Sequence, residues 1–442
     1  MLDIDGGGYS SCDGRSRRHF LRVGSLGLAG LTLPGLLKAR GESGKGARLP
    51  ETAVIQVMLS GGPSHLDTYD PKPDAPRDYR GEFAAIPTAV SGISIGELLP
   101  RHARSMDRMA IVRSLCHESS DHFVGSHRVL TGFASAASEQ SRNERPSVGS
   151  IAAKVRGPHI SGIPPYIAMG EGGFLNGLFQ DGAYLGPGFN PFRLGGDPST
   201  DLKVPNIEPP AGLTLARLDD RRDLLAKLDQ IDRRRDASGA MDGLDQFTRQ
   251  AYAMVTGTAA RKALDLSGED PRLRDRYGRN RLGQSCLLAR RLVESGVSFV
   301  TITDGDWDHH SQIFAECRRS VPPMDAAVST LVDDLYDRGL ADRVLVLVWG
   351  EFGRTPRISN GGRDHWPGSM SALLAGGGLK MGQVVGATNR KGEQPVDHPL
   401  RPEDVIQTVY HVLGIDSTHT FPDDSGRPMA VLNQGKPIAE LI

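Results

Sequence analysis

Residues 53–59 read AVIQVML and lead directly into the turn sequence Ser60-Gly61-Gly62-Pro63. A short apolar run with β-branched residues that ends in glycines is typical of a strand buried on both faces, as in a parallel sheet covered by helices. Similar runs recur at residues 109–113, 166–169, 297–303, 344–349 and 371–375. The first run and its repetitions therefore predict an α/β fold.

Helical patterns lie between these runs, at residues 213–236, 246–260, 283–295, 321–338 and 402–413. Strands that alternate with helices predict a doubly wound, mostly parallel sheet with helices on both faces. We expect residues 51–442 to form one such domain. Within it, residues 213–281 are predicted to be a helical insertion and residues 170–201 a long excursion over the sheet.

The composition argues against a nucleic-acid partner and against a disulfide framework. The chain has 52 Lys and Arg against 53 Asp and Glu, so it lacks the basic field that nucleic-acid binding usually needs. Cys12 lies in the N-terminal segment, and the other three of the four cysteines have no CxxC spacing. A disulfide framework is therefore not expected.

The N-terminus has the pattern of an export signal. Residues 16–22 read SRRHFLR, and the uncharged apolar run 23–37 follows. An arginine pair before such a run is typical of a twin-arginine signal, and the run is shorter than the ~20 residues that span a bilayer. We expect residues 1–50 to be this signal and a linker, the translocase to be the partner in export, and the location to be periplasmic, with no permanent membrane span.

Histidines and carboxylates follow several of the predicted strands. Ligands of an open parallel sheet bind outside the carboxyl ends of its strands, and imidazole and carboxylate groups are ligands of divalent metals. The pattern predicts a metal centre at this edge of the sheet, holding zinc, manganese, calcium or iron. Its candidate ligands are Asp308, His310, Asp364 and His365, with Glu351, Asp67 and His65 completing one or two sites.

Three further residues at this edge have candidate roles. His122, or Ser120 beside it, could serve as base or nucleophile, because a hydroxyl needs an adjacent base or metal to react. Arg354 could bind a phosphate or sulfate group with its fork of donors. The structural alternatives are a solvated acidic turn at residues 304–308 and an ion pair of Glu351 with Arg354 or Arg357.

Several motifs together resemble a bacterial family called domain of unknown function 1501 (DUF1501). They are the twin-arginine start, LSGGPSHLD at residues 59–67, WDHH at 307–310, GEFGRTP at 350–356 and RDHW at 363–366. The family is similar in turn to the alkaline phosphatase and sulfatase superfamily. That resemblance implies a doubly wound core, one or two divalent metals, and a hydroxyl or formylglycine nucleophile.

The sequence also departs from the superfamily pattern. Ser60 stands where the first strand normally ends in a metal-binding Asp, and Glu351-Phe352 replaces an Asp-His pair. The nucleophile position falls near His122, and Cys116 lacks the context for formylglycine. The resemblance therefore implies an exported metal-dependent hydrolase of small-molecule or polymer phosphate or sulfate esters, although not sulfatase chemistry of the usual kind. The alternative is a non-catalytic binding protein on the same scaffold.

Overall fold

The computed structural model describes residues 51–135, 143–157, 159–160, 163–170, 178–200 and 262–442. The predicted export signal at 1–50 and the helices predicted at 213–236 and 246–260 lie outside these residues. The six predicted strands are all present within one eight-stranded sheet. The eight strands are β1 (Ala53–Leu59), β2 (Ala110–Leu115), β3 (Tyr166–Met169), β4 (Phe192–Leu194), β5 (Phe299–Asp304), β6 (Val344–Trp349), β7 (Met370–Gly376) and β8 (Gln383–Val385).

The sheet is mixed but mostly parallel, as the sequence predicts. Its order is β8-β2-β7-β6-β1-β5-β3-β4, so β1 lies between two parallel neighbours. β7 is antiparallel to both of its neighbours, and the other seven strands share one direction. The central strand β1 is buried along its whole length. The carboxyl ends of β1, β2, β5 and β6 therefore meet at one edge.

Helices cover both faces of the sheet. Alternate residues of β1 point into two separate apolar clusters: Ile55 and Val57 into one, Val54 and Met58 into the other. The helices are α1 (Arg77–Arg80), α2 (Pro100–Arg104), α3 (His122–Thr131), α4 (Val148–Arg156), α5 (Pro271–Tyr277), α6 (Arg281–Glu294), α7 (Ile313–Asp337) and α8 (Pro402–Leu413). The first cluster contains residues of α6 and α7, and the second those of α3, α4 and α8.

Two features differ from the sequence-based expectation. α7 begins at Ile313, eight residues before the predicted start at 321, and continues through Pro322 and Pro323. Proline lacks the N–H that a helix interior uses, so the sequence Pro322-Pro323 predicts a helix start. Packing nevertheless maintains the helix before and after the two prolines. The excursion at 170–201 contributes the edge strand β4 in its described part.

In the described residues, four two-stranded antiparallel pairs lie outside the main sheet. One of them, Gly353–Arg354 paired with His365–Trp366, follows β6 directly and is called the site hairpin below. The other pairs are Ala85–Pro87 with Ser94–Gly96, Ala387–Thr388 with Pro395–Asp397, and Thr420–Pro422 with Pro428–Ala430. In the described part of the chain, none of the helices has the length and apolar character needed to cross a membrane.

Candidate metal centre

Three side chains from distant parts of the chain converge at the carboxyl edge of the sheet. His122 is the first residue of α3, Asp308 lies in the loop after β5, and His365 lies on the site hairpin. Each offers one ligand atom, and these atoms all lie within 4.8 Å of one another. Asp308 is central, because His365 Nε2 lies 3.0 Å from its Oδ1 and His122 Nε2 lies 3.4 Å from its Oδ2.

A third imidazole, that of His310, lies beside this group. Its Nε2 is 2.9 Å from Asp308 Oδ1 and 3.0 Å from His365 Nε2. The His310 side chain is 45% exposed, so it forms the solvent-facing side of the group. His122, Asp308, His310 and His365 are called the His-Asp cluster below.

Each imidazole of the cluster is oriented by a bond at its other nitrogen. The three Nδ1 atoms contact oxygen acceptors, and the three Nε2 atoms face Asp308. The Nδ1 contacts join His122 to Glu351 at 2.6 Å, His365 to the carbonyl of Ser120 at 2.7 Å, and His310 to Asp364 at 2.8 Å. We assign the Nδ1–H tautomers from these partners. Histidines that ligate metals are held in this way.

The electrostatics of the cluster require a cation. Lone pairs of imidazole nitrogens and of a carboxylate repel one another at about 3 Å unless a proton or a metal ion lies between them. Burial opposes a charge on His122, but hydrogen bonds from its ring to Asp308 and Glu351 raise its pKa to about 9. Burial likewise opposes ionisation of Asp308, yet its bonds to His122, His365 and Arg354 lower its pKa strongly. A proton on His122 satisfies its own contact with Asp308 Oδ2, and the contacts of His310 and His365 with Asp308 Oδ1 need a further proton or a metal ion.

Arg354 does not face a ligand site. Its guanidinium is fully buried, and Nε and both Nη atoms all donate to protein oxygens. The acceptors are the carbonyls of Gly62 at 2.8 Å, Arg363 at 3.1 Å and Trp307 at 3.3 Å, the carbonyl of Gly61, and Asp308. The prediction that Arg354 binds an ester group is therefore corrected, because its donors fix the position of Asp308 instead.

Glu351 reaches the cluster through His122. Its carboxylate is fully buried, and Oε1 accepts the N–H of Gly61 at 2.8 Å as well as the bond from His122. The backbone carbonyl of Glu351 lies 2.7 Å from His117 Nε2. Glu351 was predicted as a metal ligand, and in the structure its carboxylate orients the imidazole of His122.

Asp67 and His65 belong to a different network. Asp67 Oδ2 accepts from Arg363 Nε at 2.7 Å and from the Ser64 hydroxyl at 2.5 Å. His65 Nε2 lies 2.8 Å from the carbonyl of Gly392, and burial lowers its pKa to about 4. The structure does not bring these two predicted ligands into the three-residue group of His122, Asp308 and His365. The reason is that the chain turns at Gly61 and Gly62 after β1 and carries both residues away from the group. There the guanidinium of Arg363 neutralises the carboxylate of Asp67.

A cavity of about 730 Å³ opens beside the cluster. Its lining is polar and comes mainly from the loop after β5 and the first turns of α7. The lining residues are Ser60, Asp306, Asp308, His309, His310, Ser311, Glu316 and Arg319. Asp308 and His310 therefore both face this cavity.

The family described as "Protein of unknown function (DUF1501)" matches residues 51–442. This chain belongs to the DUF1501 family. No curated protein matches the DUF1501 chain.

Solved structures similar to the DUF1501 chain include members of the alkaline phosphatase and sulfatase group. An alkaline phosphatase from the Antarctic bacterium TAB5 is 10% identical with a TM-score of 0.38, covering 84% of this chain and 99% of that one. The PsFucS1 sulfatase from Pseudoalteromonas sp. is 12% identical with a TM-score of 0.33, covering 86% and 70%. The lipoteichoic acid synthase LtaP from Listeria monocytogenes is 10% identical with a TM-score of 0.36, covering 84% and 74%. Likeness of this size does not identify an activity or a substrate.

The structure thus unites some of the predicted site residues of the DUF1501 chain and separates others. Asp308, His310, His365 and His122 form the cluster, while Glu351 and Asp364 orient it. Ser120 is exposed and contributes its backbone carbonyl. Phe352 was not predicted as a packing partner of these imidazoles, and its ring centroid lies 5.0 Å from that of His122 and 4.6 Å from that of His365. Its place beside Glu351 gave no signal of this role.

Proposed function

We propose that this DUF1501 protein is an extracytoplasmic, metal-dependent hydrolase of phosphate or sulfate esters. The observation that carries the proposal is the orientation of three imidazoles, each with Nδ1 on an acceptor and Nε2 at Asp308. Such an arrangement is typical of a metal centre and is unusual for histidines that only pack. The polar cavity beside it supports a catalytic rather than a purely structural centre.

The donor set fits a divalent metal. His122, Asp308 and His365 would hold the ion, and imidazole donors suit zinc or iron better than calcium, which takes six to eight oxygen ligands. When bound, the ion would polarise the ester and lower the pKa of a bound water. Glu351 and the carbonyl of Ser120 would keep the imidazoles of His122 and His365 directed at the ion.

His310 is placed to move a proton. It is the exposed imidazole of the cluster and lines the cavity, and its Nε2, which contacts Asp308 Oδ1 and His365 Nε2, is the nitrogen that would exchange a proton with water or a leaving oxygen there. Asp364 fixes the ring through Nδ1 at 2.8 Å. Among the cluster residues, His310 is therefore assigned proton transfer, and His365 and His122 metal binding.

Metal analysis of the folded mature protein tests this function. We expect about one zinc, manganese or iron per chain, lost in His365→Ala and retained in the control His398→Ala, an exposed histidine that pairs with Glu440. Hydrolysis of 4-nitrophenyl phosphate or sulfate should depend on the metal, and His310→Gln should lower kcat while keeping the ion. Bound metal with no hydrolysis of any ester would favour the binding-protein alternative, and no bound metal would refute the mechanism.

Export rests on the sequence of residues 16–37 and has its own test. Residues 1–50 fused to a reporter that folds in the cytoplasm should carry it to the periplasm. The double substitution Arg17→Lys, Arg18→Lys should retain the reporter inside the cell, because the arginine pair is what the translocase reads. A reporter that stays inside with the native arginines would contradict this part of the proposal.

A further inference from the structure

An enzyme for anionic esters needs a cationic donor for the ester oxygens, and Arg354 does not supply it. Its nitrogen atoms are committed to protein oxygens, as described above. The cavity beside the cluster is otherwise acidic, since Asp306, Asp308 and Glu316 all line it. Without a cationic side chain among them, these carboxylates would repel a phosphate or sulfate group.

Arg319 is the only arginine or lysine among the described residues that line this cavity. It lies in the second turn of α7, and its side chain is 58% exposed. Its partner is Glu316, one turn earlier on the same helix, whose Oε2 lies 2.9 Å from Arg319 Nε and 2.7 Å from Nη2. An exposed pair of this spacing is worth well under about 1 kcal/mol, so the guanidinium can exchange Glu316 for another anion.

We propose that Arg319 is the substrate-binding arginine of this cavity, which takes the anionic oxygens of a phosphate or sulfate ester in place of Glu316. A guanidinium binds such groups through two parallel hydrogen bonds, which an exposed arginine can form without leaving a buried partner unpaired. Glu316 then competes with the substrate for Arg319 and sets how tightly the cavity holds an anion. This inference rests on the proposed function, since it names the specificity residue of the same site.

The chain offers a matched control at the next position. Arg318 is also on α7, is 57% exposed and pairs with a glutamate, Glu82. Its guanidinium lies over the ring of Phe83, and it does not line the cavity. Substitutions at the two positions remove the same charge from the same helix, so a general electrostatic effect would be similar for both.

The test is calorimetric binding of inorganic phosphate to the folded, metal-loaded protein. We expect Arg319→Gln to weaken binding about tenfold or more, Arg319→Lys to restore part of it, and Arg318→Gln to leave it unchanged. Glu316→Gln should strengthen binding, because it removes the competing carboxylate. Melting temperatures equal to that of the native protein would show that the exposed substitutions leave the fold intact.

The outcomes separate this inference from the proposed function. If phosphate binds and Arg319→Gln behaves as Arg318→Gln does, the assignment of Arg319 is wrong and the hydrolase proposal stands. Weaker binding in Glu316→Gln would also overturn it. If the native protein binds the metal but neither phosphate nor sulfate, both proposals fail together.

Discussion

Glu351 acts on the candidate metal centre through one side chain, His122. Glu351→Gln keeps an oxygen that can accept the N–H of Gly61 and the N–H of His122. It removes the negative charge that makes the His122 imidazole a stronger electron donor to a metal ion. We expect the metal affinity to fall about 10- to 100-fold while the protein stays folded. Competition with a chelator measures the affinity, and an unchanged value would show that Glu351 has no part in orienting His122.

Burial of His65 makes the stability of the folded protein sensitive to acid. Desolvation lowers its pKa to about 4, against the attraction of Asp70 and with smaller contributions from Arg363 and Lys72. The unfolded chain binds the proton more readily than the folded protein does. The neutral, buried His65 therefore contributes fully to the free energy of unfolding above pH 6.5. That contribution, up to about 3 kcal/mol, is lost as the pH falls through 4.

His65→Gln tests this account, since an amide can still donate to the carbonyl of Gly392. Urea unfolding at several pH values between 7 and 4 should show a shallower decline for the variant than for the native protein. His117, whose pKa burial also lowers to about 4, retains its own contribution in both. Parallel profiles for the two proteins would contradict the assignment.

The sequence identified which kinds of residue lie at the site but not which groups each side chain contacts. His122, Asp308, His310 and His365 were named from their places after predicted strands, and the structure brings these four side chains together. The same rule named Asp67 and His65, which the turn after β1 carries into contact with Arg363 and Gly392. The guanidinium of Arg354 could donate hydrogen bonds to an anion, but its acceptors include backbone carbonyls nearly 300 residues away in sequence. No local pattern shows such contacts.

The helix α3 presents His122 to the site, and its N-terminus depends on Asp121. The Asp121 side chain accepts the N–H groups of Phe123 and Val124 at 2.9 and 3.0 Å. Asp121→Ala should cost about 0.5–2 kcal/mol of stability and also weaken metal binding, because the first turn that carries His122 frays. Urea unfolding and metal titration measure the two effects.

A second cap supplies the control for this prediction. Ser147 accepts the N–H of Ser150 at the start of α4, a helix that contributes no residue to the cluster. Ser147→Ala should cost a similar free energy of unfolding and leave metal affinity unchanged. Equal losses of affinity in the two variants would mean that global stability, and not the first turn of α3, controls the centre.

Close packing joins α4 to the sheet at Gly149. A Cβ at this position would lie 2.4 Å from the Tyr166 ring, which is buried on β3. Helix propensity alone favours Gly149→Ala by about 1 kcal/mol, but the clash should outweigh it and give a net loss of about 1–3 kcal/mol. Gly195→Ala, which meets open space, is the control in thermal unfolding. A stabilised Gly149→Ala variant would show that the helix can move away.

The main strands and their mostly parallel arrangement were predictable, but the direction of β7 was not. Residues 166–169 and 344–349 were predicted at their observed bounds, because buried strands read as apolar runs. β7 has the same kind of sequence and runs the opposite way, since a buried strand is apolar in either direction. The edge strands β4 and β8 are only three residues long and lack such a run.

For the whole molecule, the metal should act as a stabilising ligand. The cluster connects α3, the loop after β5 and the site hairpin, so an ion that binds only the folded chain adds about 2.7 kcal/mol at one hundred times its dissociation constant. A chelator should lower the melting temperature by several degrees, and added zinc should restore it. His365→Ala should show neither response, and an equal response in that variant would place the ion elsewhere.

The distances along the chain within the His-Asp cluster have a consequence for biosynthesis. Glu351 follows His122 by 229 residues, and His365 follows Asp308 by 57. A nascent chain that ends before residue 365 therefore leaves Asp308 without one of the imidazoles that contact it. Truncated products can contain six strands of the sheet and still lack the centre. An ion that binds the whole cluster could therefore be acquired only by chains that extend past residue 365.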